Sequence, residues 1–196
     1  YLLGASTRGV AELAEQVFGG TLSHQTVSQL MRWLDERLKA WRGEPIEPVY
    51  RVVYIDGMHV NVLGGDRMVM LAAGQRDDGR LEVLGFSLST GESCVELLKD
   101  LRRRGLEKVE MFVSDQSAAI RFALEQAYPE VSRQLCSFHR LQALRATLGQ
   151  TGYRDLMVAE AACIFRCPSR QAAGDAAAAW AKRWRGVNAW AVQQFM

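Results

Sequence analysis

The hydrophobic period of the chain changes after residue 48, and that change restricts the possible folds more than any other feature. Before it, apolar residues recur at helical spacing. After it, VYRVVYIDGMHVNV (49–62) is dense in β-branched and aromatic residues, the composition of a central strand. RMVMLAAGQ and RLEVLGFSLS follow as two further strands joined by the turn sequence RDDGR. GESCVELLKDLRRRG then reads as an amphipathic helix, with Val95, Leu97, Leu98 and Leu101 inward and arginines outward. KVEMFVSD is a fourth strand, QSAAIRFALEQAY a helix stopped by Pro129, VSRQLC a short fifth strand, and FHRLQALRATLG another helix. The order β-β-β-α-β-α-β-α predicts an α/β fold: a mixed sheet with helices on its faces.

Residues 1–44 read as a separate helical segment. Ser6 is placed to cap a first helix carrying Val10, Leu13, Ala14 and Val17, and Gly19 and Gly20 close it. Ser23 caps a second helix whose Val27, Leu30, Met31, Leu34 and Leu38 make one apolar stripe. Helix, short glycine turn and a helix opening on SHQTVSQ is the helix-turn-helix layout. Its second helix would offer His24, Gln25, Ser28, Gln29 and Arg32 to DNA; the plainer alternative is a helical hairpin that only packs against its neighbour. Pro45 and Pro48 mark a linker to a core over 49–150. Residues 151–196 read as helical, with Ser169 capping an alanine-rich helix that reaches Trp184. Trp180, Trp184 and Trp190 are expected to be its large apolar anchors.

Composition narrows the class without naming it. Hydrophobic residues make up 48% and charged residues 23% of the 196, with a net charge of +2, so any basic surface has to be local. No apolar run reaches the roughly 18 residues of a membrane span, and no leader resembles a signal peptide. Four scattered cysteines (94, 136, 163, 167) form no disulfide framework, which points to a reducing cytoplasm. The chain opens on Tyr1 and stops at VNAWAVQQFM, and reads as a fragment.

Two aspartates carry the candidate chemistry. Asp56 follows VVYI, and Asp115 follows MFVS and opens a helix. Both are expected at the carboxyl end of a strand, where open α/β sheets bind ligands. On neighbouring strands the two carboxylates would lie about 5 Å apart and repel each other unless a divalent cation sits between them. Magnesium suits such a pair, because it binds through one or two carboxylates and completes its shell with water and phosphate oxygens. Two ions about 3.5–4 Å apart serve phosphoryl transfer. The alternative is that Asp56 belongs to a turn and Asp115 merely caps a helix.

Cys136 and His139 form a C-x-x-H at the end of the fifth strand. Zinc could use that spacing, with Cys163 and Cys167 completing a set of four. The competing reading leaves Cys136 buried and turns His139 toward the acids as a phosphate contact or modulator. His59, on the pleat face opposite Asp56, reads as structural or as a supporting group.

YIDGMHVNV, VSDQSAAIRFALEQAYP and QLCSFHRLQAL resemble three successive blocks of Mutator-superfamily (MULE-like) bacterial insertion-sequence transposases. Those blocks are a strand ending in Asp-(Gly/Ala)-x-His, a strand ending in Ser/Thr/Val-Asp, and a Gln-x-Cys-x-x-His segment. STRGVAELAEQVFG and LSHQTVSQL look like the family's DNA-binding helices, and IFRCPSRQAAGDAAAAWAKRW like the segment after the third block. The resemblance implies an RNase H-like catalytic core and a DDE transposase. Such an enzyme hydrolyses DNA at an element's end, and the freed 3′-hydroxyl then attacks target DNA.

By the same resemblance, Asp56 and Asp115 are ligands for Mg2+ or Mn2+, and Cys136 with His139 is the signature pair, His139 taking part in catalysis. The implied partners are double-stranded DNA, as terminal inverted repeats and target, and a second copy of the chain in synapsis. Gln116 stands where the family commonly has glycine, and Gln142-Ala143 where it has Arg-Asn. The family's third acid, a glutamate beyond a helical insertion and near a Thr-Asn-rich segment, has no counterpart here. Residues 151–196 read as the start of that insertion, and Asp155 and Glu160 are the nearest substitutes. The expectation is therefore a transposase fragment that does not transfer strands alone. A catalytically inactive DNA-binding or regulatory derivative, or another RNase H-like nuclease, are the alternatives.

Overall fold

The computed structural model describes Glu15 and residues 23–47, 49–62, 65–88 and 93–196. The expectations for the first helix and its glycine turn, at 1–14 and 16–22, lie outside the described residues. The chain divides into two compact units, residues 1–133 and 134–196.

Within the described residues, the first helix of this unit is α1 (His24–Gly43). Ser23 caps it as expected: its side-chain oxygen accepts a hydrogen bond from the Thr26 N–H at 3.0 Å, satisfying one of the otherwise orphan donors of the first turn. The apolar stripe of α1 is present but is not covered as a core face would be. Val27 is buried, whereas Leu30, Leu34 and Leu38 are exposed. Periodicity identifies an apolar face, not its partner. The other end of the helix is anchored to the sheet. Trp41 stacks on Phe86 at 6.0 Å, Arg42 lies over the Phe86 ring, and Arg104 reaches the carbonyls of Trp41 and Glu44.

Three strands follow: β1 (Val52–Val62), β2 (Gly65–Gln75) and β3 (Leu81–Leu88). The RDDGR turn closes between β2 and β3 with the Arg76 N–H donating to Arg80 O, Gly79 at φ +83°, and Asp78 accepting from the Arg80 N–H. Next come α2 (Ser93–Arg103), β4 (Met111–Ser114), α3 (Ala118–Ala127), β5 (Ser132–Leu135) and α4 (Ser137–Leu148). The succession of strands and helices is the expected one. Among the described residues the sheet has five strands in the order β3-β2-β1-β4-β5, with β1 antiparallel to β2 and parallel to β4.

Alternation along β1 sends Val53 and Ile55 to one face, where both are buried. Against that face pack Cys94, Leu97, Leu98 and Leu101 of α2 and Ile120, Ala123, Leu124 and Ala127 of α3. Two glycines permit close approach. A Cβ on Gly74 would lie 2.4 Å from the Tyr50 ring, and one on Gly85 would lie 2.9 Å from Leu97.

The second unit is helical: α4 is followed by α5 (Arg154–Ile164), α6 (Arg170–Trp184) and α7 (Ala189–Phe195). Its core joins Leu144 and Leu148 of α4 to Met157, Ala161, Trp180, Trp184, Val192 and Phe195. Ser169 caps α6 as expected, accepting from the Ala172 N–H at 3.1 Å. Trp180 and Trp184 are anchors in the expected sense: their indole N–H groups donate to Met157 O and to Glu160 Oε2. Trp190 is not, being 62% exposed. The helical phase resets between Trp184 and Trp190, because Asn188 caps a new helix whose inner side is Ala191, Val192 and Phe195.

Candidate metal centre

The parallel ladder between β1 and β4 runs from Val52↔Met111 to Ile55↔Ser114. Asp56, within β1, and Asp115, the residue just after β4, are the next pair along, so the register itself brings them level. Adjacent strands lie about 4.8 Å apart, which is the separation expected of the two backbones at this level. One expectation needs correcting. Asp56 is not at a strand terminus: β1 runs on to Val62, and Asp56 is paired with Leu71 of β2. What ends at Ile55 is the pairing with β4, because β4 stops at Ser114 and the chain turns into α3.

Each carboxylate is held through one oxygen by a nearby backbone amide. The Gly57 N–H donates to Asp56 Oδ1 at 2.9 Å, and the Ser117 N–H donates to Asp115 Oδ1 at 2.8 Å. Asp115 thus fixes the turn into α3, whose N-cap residue is Ser117, so it is not the helix cap of the plainer reading. That role occupies one oxygen and does not exclude metal ligation by the carboxylate. The charge of Asp115 is also felt beneath it: burial first, and then this carboxylate, push the Cys94 thiol up to about 11. Hard oxygen donors paired at the end of the β1–β4 ladder fit Mg2+ or Mn2+. Among the described residues no group of three His, Cys, Asp or Glu side chains comes together to hold a metal.

The other expected site residues are placed as follows. Cys136 is the residue before α4 and His139 lies in its first turn; both belong to the second unit and are partly buried. Cys163 and Cys167 do not assemble a zinc site with them: each thiol donates to the carbonyl four residues earlier, Ala159 and Cys163 respectively. Asp155 is engaged by Arg145 and Arg154, and Glu160 by Arg183 and Trp184, so both in-chain substitutes for a third acid are committed to structural pairs. His59 is exposed, with its Nδ1 3.6 Å from Asp66 Oδ2. On α1, His24, Gln25, Gln29 and Arg32 are exposed and Ser28 is partly so.

Sequence reasoning read 49–62 as one strand but gave no role to its outer half, where β1 and β2 run on past β4. The signal was available: VYRVVYIDGMHVNV is far longer than the strand in KVEMFVSD, so one strand had to outrun the other.

The chain belongs to the family described as Transposase, Mutator family, whose profile matches residues 1–196. It is similar to the transposase for insertion sequence element IS406 of Burkholderia multivorans, at 32% identity over 87% of this chain and 46% of the relative. It is also similar to the IS1201 transposase of Lactobacillus helveticus (27% identity; 94% of this chain, 51% of the relative). The IS256 transposase of transposon Tn4001 in Staphylococcus aureus is a third relative (28% identity; 76% and 40%). The chain spans about half the length of the curated relatives it matches. Among the described residues no helix is long and apolar enough to cross a membrane.

Proposed function

We propose that this chain supplies two of the metal ligands of a DDE transposase with an RNase H-like core, acting on DNA at element ends. The observation that carries the proposal is the register Ile55↔Ser114, which makes Asp56 and Asp115 neighbours at the end of the parallel ladder. Asp56 and Asp115 would hold Mg2+ or Mn2+, and the ion would activate an attacking oxygen and stabilise a leaving one in phosphodiester cleavage and transfer. The chain's own part is to fix the two carboxylates. β1 and β4 set their spacing, and the Gly57 and Ser117 amides orient one oxygen of each. Cys136 and His139 enter through the motif they match, with His139 assigned to the phosphate. The helix beginning at His24, with Gln25, Ser28, Gln29 and Arg32, is assigned to recognition of terminal-repeat DNA. A second copy of the chain would join in synapsis.

With two acids at the end of the β1–β4 ladder, the reaction needs a third ligand from a longer protein. The 196-residue chain is expected to leave element-end DNA uncut in Mg2+ or Mn2+. In a longer protein containing it, Asp56→Asn and Asp115→Asn should each abolish cutting and leave DNA binding intact. Cutting by the longer protein that survives both substitutions contradicts the assignment. Asp56-dependent cutting by the chain alone contradicts the need for a third ligand.

A further inference from the structure

β1 and β2 outrun the rest of the sheet. β4 pairs with β1 only as far as Ile55, and β3 pairs with β2 only from Val69 onward. From Asp56↔Leu71 the two strands continue as a pair to Val62↔Gly65, and beyond Met68 no other described strand flanks them. A two-stranded β-ribbon therefore extends from the acidic pair, and such a ribbon has the dimensions to enter a DNA major groove. Its two faces differ. His59, Asn61 and their partners Met68 and Asp66 lie on the side continuous with the packed core. Asp56, Met58 and Val60 lie on the other, and the partner of Val60 on that same face is Arg67.

Arg67 is exposed and makes no ion pair with any described residue. Of the two acids on the ribbon, Asp66 lies on the opposite face from Arg67, beside His59. Val60 is four residues along β1 from Asp56 and Arg67 lies beside it on β2, so the Arg67 position is about 14 Å from that of Asp56. That distance is about four base pairs of duplex rise. An unpaired guanidinium at that spacing, on the face that carries the metal-binding carboxylate, suits a phosphodiester near the one being cut.

We propose that the outer half of the β1–β2 ribbon is a DNA-backbone contact surface in which Arg67 binds a phosphate and positions the strand across Asp56. The proposal rests on the assignment of Asp56 and Asp115 to DNA chemistry. Arg67 is a positioning residue, not a ligand.

The test uses the full chain and a 40-base-pair random-sequence duplex, with binding followed by fluorescence anisotropy across a salt series. Loss of one phosphate contact should flatten the slope of log K against log salt by about 0.9 in Arg67→Ala. Between 50 and 200 mM salt the variant should then lose about 3.5-fold less affinity than the unaltered chain. Arg67→Lys should keep the original slope. Mn2+ titration and the melting temperature should be unchanged in both variants. An unchanged slope in Arg67→Ala overturns the proposal, as does an unaltered chain that does not bind the duplex. Failure of the acidic pair shows separately, as Mn2+ binding indifferent to Asp56→Asn while the Arg67 effect on the slope persists.

Discussion

Tyr50, Arg76 and Glu82 show how single side chains lock the start of β1 to the far strands. The Tyr50 hydroxyl donates to Glu82 Oε2 at 2.5 Å, and Arg76 Nε pairs with Glu82 Oε1 at 2.6 Å. Arg76 and then Tyr50 hold the Glu82 carboxyl below the usual range. Burial, reinforced by Glu82, pushes the Tyr50 phenol up to about 12 from an ordinary value near 10. A group whose folded value is raised contributes stability that is complete below its unfolded value and is lost as pH rises through the folded one. Stability should therefore fall between about pH 10 and pH 12. Tyr50→Phe should make that decline shallower in urea denaturation series at pH 9 and pH 11.5, the remainder coming from the buried Tyr128 phenol and Cys94 thiol, and a variant retaining the full decline contradicts the assignment. The ring also explains Gly74. Gly74→Ala would drive a methyl group to within 2.4 Å of Tyr50, so it should destabilise the protein by about 1–3 kcal/mol in the same assay.

At the scale of elements, what could be read in advance was what local chemistry determines. Alternation in VVYI, the RDDGR turn, and the serine caps at Ser23 and Ser169 each act over a few residues, and each is found where expected. The sequence marks the end of β4 before Asp115 but not an end of β1 at Asp56, and the β1–β4 register is what brings the two acids level. The length of β1 was legible in VYRVVYIDGMHVNV, but helix partners were not, because they depend on what lies alongside in space. So the stripe of α1 is largely exposed. Trp190 was misjudged because a count by helical spacing does not register the new start at Asn188. The consequence is measurable. Trp184→Ala should cost about 3–5 kcal/mol, and Trp190→Ala should stay within about 0.5 kcal/mol of the unaltered chain. Equal losses would contradict the placement of α7.

At the scale of the whole molecule, the chain divides its apolar core between two units. One is built on the sheet around Val53, Ile55 and Phe112, and the other on the helices around Met157, Trp180 and Trp184. The acidic pair belongs wholly to the first unit, and the signature pair Cys136 and His139 to the second. Membership of the Mutator transposase family unites them in one polypeptide that spans about half the length of its curated relatives. The central claim is that the β1–β4 register makes Asp56 and Asp115 one divalent-metal site, and calorimetric titration of the chain with Mn2+ tests it most directly. The account predicts saturable binding that Asp56→Asn and Asp115→Asn each weaken at least about tenfold, since each removes a ligand of the same ion. Binding that both variants retain undiminished, or no saturable binding in the unaltered chain, would contradict it.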